Sequence, residues 1–280
     1  LSIDDPVRFE KIMATALPAL RAFMEDGAQD PVIQEIEQPD VILWAIWAIQ
    51  QYAKVVGIDK ARELYKEFID EALEYIMSQK HPGLKVMDSG LLFADGGRDK
   101  AITWMNSVVN GRPVVPRSGY IVEFNAAWYN ALCFSREMNG EATDKRIDKL
   151  ISAINVSFPN TFVNGYNYLF DYVNGSFVDW SVRPNMIFAV ALPYSPLTRM
   201  QMRSVLDIVT KELLTPKGIR SLSPKSEGYR PYCTGPQVER DLAYHQGTAW
   251  PWLLGAYLEA YLRVFGKSGA AFAGRMLISM

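Results

Sequence analysis

The chain has 280 residues, 49% of them apolar, with 31 acidic against 29 basic side chains for a formal net charge of −2. It can bury a sizeable core, and so even a charge balance leaves no electrostatic footprint for nucleic acid or an anionic membrane. Two cysteines and two histidines supply neither a disulfide framework nor a zinc-ligand spacing, and no apolar run approaches the roughly 20 residues of a membrane span.

Along the chain, the Asp4-Asp5-Pro6 start signal and the three- and four-residue recurrence of Phe9, Ile12, Met13, Ala16, Leu17 and Leu20 predict an amphipathic helix to about Glu25. A second helix, from Pro39-Asp40 to Gly57, carries Leu43, Trp44, Ile46, Trp47, Ile49 and Tyr52 with little polar face, so it is expected to be an inner one. The third, Asp59 to about Gln79, is charged on one side and is expected to lie outside. From His81 to Gly119 glycines and prolines break the pattern over a stretch too long for an ordinary connection, which marks a functional loop.

Helices follow over Ile121–Met138 and Asp144–Asn155, then a hairpin within Thr161–Val178 around Asn174-Gly175. Further helices are predicted over Ile187–Leu192 and Pro196–Leu214. An irregular stretch, Thr215–Asp241, then precedes a last buried helix, Ala249–Phe265. Alternating apolar and amphipathic helices with long loops suit an all-α fold of two concentric layers, an α/α toroid, whose loops gather at one mouth. A generic helical bundle accounts for the same helices but not for the loops.

The loops are rich in aromatic residues, among them Trp104, Tyr166, Tyr168, Tyr172, Trp180, Tyr229 and Tyr232, interleaved with Asp179, Arg117, Arg183, Arg220 and Asn185. Pyranose rings present apolar C–H faces fringed by hydroxyls, so flat aromatic side chains flanked by planar polar groups suit them. Aromatic plugs that pack long loops down would look the same. Glycoside hydrolysis needs two carboxyl groups, and the loop and helix-start candidates are Asp95, Asp99, Glu123, Asp171, Asp179, Glu227, Glu239 and Asp241. Glu123 stands in the apolar run Ile121-Val122-Glu123-Phe124, where it needs a partner such as Arg117.

Three groups of segments together resemble the C-terminal amylo-alpha-1,6-glucosidase domain of glycogen debranching enzymes. The first joins Thr103-Trp104-Met105-Asn106, Pro116-Arg117-Ser118-Gly119 and Val122 through Asn130; the second joins Arg183-Pro184-Asn185 with Leu192 through Leu197; the third is Tyr244 through Trp252. Pro39-Asp40 with Leu43-Trp44 adds to the likeness.

The resemblance implies a six-hairpin α/α toroid that removes α-1,6-linked glucose from α-glucan branch stubs, with inversion and without cofactor or metal. It also implies that residues 1–280 form one toroid domain, incomplete at its N-terminus, that is the C-terminal portion of a longer protein. An α-glucan or oligosaccharide is the expected partner, with no nucleic acid or membrane, and a cytoplasmic location fits the cysteine usage.

On this reading the substrate contacts are Trp104, Asn106, Arg117, Asn125, Trp128, Asp179, Arg183, Asn185, Arg220, His245, Gln246 and Trp250. Two departures bear on mechanism. Asn106 stands where the family's usual Trp-Met-Asp places the proton donor, and Ala249 stands where eukaryotic members carry the glutamate base. An amide cannot supply a proton, so either nearby carboxylates, with Glu123, Glu239 and Asp241 as the catalytic candidates, act instead or the chain binds glucan without cleaving it. A purely structural domain remains a third reading.

Overall fold

A computed structural model describes residues 3–25, 38–96 and 99–278. Gly97 of the first long loop and the terminal Leu1 and Met280 fall outside them.

The chain opens with α1 (Pro6–Met24), whose first turn is closed by the Asp5 carboxylate accepting the Arg8 backbone N–H at 3.0 Å and by a proline at its start. Helices α2 (Val41–Val56) and α3 (Ile58–Met77) follow, divided at Gly57, whose φ of 94° suits a residue without a side chain. α4 (Val122–Asn139) is buried along nearly its whole surface, and α5 (Lys145–Phe162) covers it with one apolar face.

α5 runs past the predicted end at Asn155, with Pro159 inside it. Ile147, Ile151, Ile154, Phe158 and Phe162 are spaced to bury one stripe, and that burial outweighs the backbone hydrogen bond lost at the proline. A 3-10 turn (Pro184–Ile187) leads into the short α6 (Phe188–Ala191). α7 (Arg199–Leu213) then begins with a capping box between Thr198 and Gln201. α8 (Gln237–Tyr244), α9 (Leu253–Phe265) and α10 (Ala270–Ile278) complete the helices.

Four of these form a continuous row: α2 packs on α4, α4 on α6, and α6 on α9. α1 and α3 pack against α2, α5 against α4, and α7 against α6 and α9. The apolar helices thus line up and the amphipathic ones flank them, because a helix without a polar face must be covered on more than one side.

Short antiparallel pairs punctuate the loops. β1 (Leu84–Val86) pairs with β2 (Leu92–Ala94), and β3 (Val108–Val109) with β4 (Arg112–Pro113). β5 (Tyr120–Ile121) pairs with β6 (Tyr172–Asn174), which pairs with β7 (Phe177–Val178) around the Asn174-Gly175 turn. The hairpin is therefore shorter than predicted, since Thr161 and Phe162 still belong to α5.

Two further expectations change. The stretch predicted to be irregular holds the β8 (Leu214–Thr215) and β9 (Gly218–Arg220) hairpin and α8. The last buried helix starts at Leu253 rather than Ala249, because Ala249 and Trp250 extend as β10 and pair with Arg220 and Ile219.

Candidate functional site

At the loop ends of α2, α4, α6 and α9 lies a buried polar network. Arg117, fully buried, grips Glu123 with two guanidinium nitrogens, one of them 2.7 Å from Oε2. Its Nε lies 2.7 Å from Asp171 Oδ2, an ion pair off the hydrogen-bond axis, and its NH2 donates to Asp171 Oδ1 at 3.1 Å. Asn185 donates to the same Oδ1 at 2.7 Å and accepts the Trp104 indole N–H at 2.7 Å. Arg183 donates to the backbone carbonyls of His245 and Ser221 at 2.9 and 3.2 Å and to the Gln246 side chain at 2.7 Å.

Electrostatics follow from this packing. Burial raises the Asp171 carboxyl from 3.8 to about 6, against the pull of Arg117, while Asp179 and Glu123 push it further up. Burial opposes the Arg117 charge, but Asp171 and Glu123 outweigh it and raise its pKa. Arg183 is lowered by burial, with Asp171 acting the other way. Two carboxylates around one guanidinium leave one negative charge over, which Arg183, its Nε 4.0 Å from Asp171 Oδ2, offsets, and the network holds three loops together.

Trp104 links this network to an aromatic wall. Its ring meets His245, Trp250 and Trp252 edge-on, with centroids 5.1, 5.9 and 5.1 Å away. His245 stacks on Trp250 at 5.3 Å, and Trp252 stacks near Phe188 at 6.1 Å. Phe188 in turn meets Trp44, which packs edge-on against Trp47. Trp44, Trp47, Trp104, Phe188 and Trp252 line a cleft of about 560 Å³ between α2, α6 and α9, with Lys54 and Glu259 among its remaining lining residues.

Two buried titratable groups adjoin the wall. His245 is buried with neither ring nitrogen hydrogen-bonded among the described residues, and burial, then Arg183, lowers it from 6.5 to about 4. Asp40, directly before α2, is 5% exposed and accepts the Trp44 indole N–H at 2.6 Å. Burial raises its carboxyl from 3.8 to about 7, against that hydrogen bond; Glu123 adds to the rise and Arg117 opposes it.

The structure therefore gathers Trp104, Arg117, Glu123, Arg183, Asn185, His245, Gln246 and Trp250 in one place. Asp179 is half-buried at its edge, its carboxylate accepting the Ser181 N–H at 2.8 Å. Asn125 and Trp128 lie elsewhere: Asn125 bonds both the N–H and the carbonyl of Leu92, and Trp128 donates to the Gly90 carbonyl. Both fasten the β1–β2 loop onto α4.

Arg220 sits in β9 opposite Ala249. Asn106 is exposed beside Met105. Glu239 is exposed on the short α8, and Asp241 accepts a hydrogen bond from Gln237 on that same helix. Of the three catalytic candidates, then, only Glu123 is in the network, and there Arg117 occupies both its oxygens.

Asp40, Trp44, Trp47, Phe188 and Trp252 escaped the sequence reading as site residues. Trp44 and Trp47 looked like core, and the signal that could have exposed them is the all-round apolar surface of α2, which asks for more cover than one helix layer gives. Among the described residues no group of three or more His, Cys, Asp or Glu side chains is placed to hold a metal ion, and no helix is long and apolar enough to cross a membrane.

Comparison with known proteins bears on this geometry. Residues 24–277 match the amylo-alpha-1,6-glucosidase family. A stretch of 91 residues is 34% identical to the glycogen debranching enzyme of Saccharomyces cerevisiae, covering 30% of this chain and 6% of the yeast protein. The chain thus matches only a small part of that relative's length.

Proposed function

The chain belongs to the amylo-alpha-1,6-glucosidase family, and from that premise we propose that its aromatic cleft receives the glucosyl units of an α-glucan branch. The observation that carries this reading is the cleft itself: five aromatic side chains around about 560 Å³, with Trp104 tied to the buried network through Asn185. Pyranose faces stack on such rings, and His245, stacked on Trp250 and edge-on to Trp104, backs that wall.

In the complete protein the activity would be removal of α-1,6-linked glucose by a debranching-type glycosidase. The row of α2, α4, α6 and α9, flanked by α1, α3, α5, α7 and α10, is what part of an α/α toroid would supply. On this reading residues 1–280 are a single toroid domain from the C-terminal portion of a longer protein, and two free cysteines suit a cytoplasmic setting.

A second reading, binding without turnover, is favoured by the carboxylates. Inversion needs two carboxyl groups roughly 6.5 to 9.5 Å apart across the scissile bond. Among the described residues Glu259 is the single carboxylate lining the cleft, Asn106 cannot donate a proton, and Glu239 and Asp241 sit on a surface helix. Asp40, whose carboxyl burial raises to about 7, accepts the indole N–H of Trp44 and so stands behind one wall of the cleft.

The test is glucose release from a phosphorylase-limit dextrin, with Asn106→Asp run in parallel. Release by the unmodified protein means hydrolysis through another acid, and Asp40→Asn should then abolish it. Release by the Asp variant alone means a glucan binder that lacks its acid. Neither release nor oligosaccharide affinity would sink both readings.

A further inference from the structure

A second aromatic feature lies on the outside of the loops that build the site. Tyr166 is 75% exposed and Trp180 47% exposed, and their ring centroids lie 6.3 Å apart at an interplanar angle of 73°. Each ring is braced from behind. Phe170 meets Trp180 edge-on at 4.7 Å, and Tyr168 runs parallel to Tyr166, 14° from coplanar.

The backbone is fixed as well: the Asn164 side chain accepts the N–H groups of both Tyr166 and Tyr168 at 2.9 and 3.3 Å. Large apolar rings held rigid and exposed, at the cost of their hydration, are unusual on a surface unless something covers them.

The position of the pair says what covers it. Trp180 follows Asp179, whose backbone pairs with Asp171 and Tyr172, and it precedes Arg183 by three residues. Asp171 and Arg183 are the buried network itself. Three residues of extended chain span at most about 11 Å, a distance that a few linked sugars cross. Tyr166 thus lies five residues before Asp171 and Trp180 three before Arg183, on the chain segments that deliver those two side chains to the network.

Both rings end in a polar group, an indole N–H and a phenol O–H, which suits a hydroxyl-fringed partner better than an aliphatic one. Two rings inclined to each other match the curve of an α-linked glucan rather than a flat sheet.

We infer that Tyr166 and Trp180 form an outer glucan platform, which holds the chain of an α-glucan whose end or branch occupies the cleft. This rests on the glucan reading of the cleft given above. The platform gives polymeric substrate an advantage over short oligosaccharides, since a second contact on one molecule raises the effective concentration at the first.

The experiment compares glycogen and maltotriose binding by the chain and by Trp180→Ala, Tyr166→Ala and Trp104→Ala variants. Both platform positions are exposed, so the substitutions spare the core. Glycogen affinity should fall about tenfold in Trp180→Ala and Tyr166→Ala, the scale of a truncated aromatic anchor, while maltotriose affinity holds. Trp104→Ala should lose both. Glycogen affinity unchanged within about twofold in both platform variants would overturn the proposal. If Trp104→Ala leaves maltotriose binding intact, the cleft reading fails separately, and a glycogen loss confined to the platform variants would then mark the rings as a glucan site in their own right.

Discussion

Glu123 and Asp40 show how differently two buried carboxyl groups can be used. Glu123 is matched on both oxygens by Arg117, so its charge is compensated where it stands. Removing Glu123 leaves Arg117 buried with Asp171 alone, and breaking such a buried network costs about 3 to 5 kcal/mol. Glu123→Ala should accordingly lower the melting temperature by roughly 6 to 20 °C, measurable by calorimetry, and a change within about 2 °C would contradict the role assigned to the pair.

Among the described residues Asp40 forms no ion pair, and burial raises its carboxyl to about 7 although Arg117 acts the other way. A carboxyl whose folded pKa lies above its unfolded value stabilises the fold at low pH, and that contribution is lost as pH rises through the folded value. The window here runs from about 4 to about 7. Since Asp171 and the histidines titrate in overlapping ranges, the informative quantity is a difference: between pH 5 and pH 8 the wild type should lose at least about 2 °C relative to Asp40→Asn. A difference independent of pH would count against the burial of an uncompensated acid there.

At the scale of elements, the segment Tyr244–Trp252 decides how the cleft closes. It is not the start of α9 but a turn and a strand: Arg230 donates its N–H to the Gln246 carbonyl, Gly247 donates to Ser221 Oγ, and Ala249-Trp250 pairs with β9. Gly247 has φ 144°, and a Cβ there would lie 2.5 Å from the Arg230 carbonyl and 2.6 Å from the Tyr229 ring. Gly247→Ala must push that loop away and with it His245 and Gln246. Oligosaccharide affinity should fall on the order of tenfold or more while helical circular dichroism is kept; unchanged affinity would detach this loop from the site.

The same segment shows where the sequence could be read and where it could not. The helices were legible because each carries a 3.6-residue apolar pattern with start or stop residues, as with Asp5-Pro6 and Gly57. The Arg117–Glu123 pair was legible because a lone carboxylate in an apolar run demands a cation. Two-residue strands such as β10 carry no period at all, so only their long-range partners define them. The cleft was hidden for a similar reason: Trp44 comes from α2, Phe188 from α6 and Trp252 from the turn just before α9, and nothing in local spacing says that they share one wall.

For the whole molecule, the arrangement places rigid charge pairing under the loops and aromatic surface where a ligand can reach. Arg117, Asp171, Asn185 and Trp104 join the loops that follow β2, β4 and α5 to the 3-10 turn before α6, so the wall is positioned by side chains buried away from solvent. Family membership covers residues 24–277, nearly the full length, and the site draws on almost all of that span, from Asp40 to Glu259.

Binding in the cleft is the claim on which the rest depends. The direct measurement is intrinsic tryptophan fluorescence during a titration with maltotriose, because Trp44, Trp47, Trp104 and Trp252 all border the cleft. A sugar seated on these rings should give a saturable change in emission that disappears in Trp104→Ala and persists in Trp180→Ala. No change for the unmodified chain, or the same change in Trp104→Ala, would contradict it.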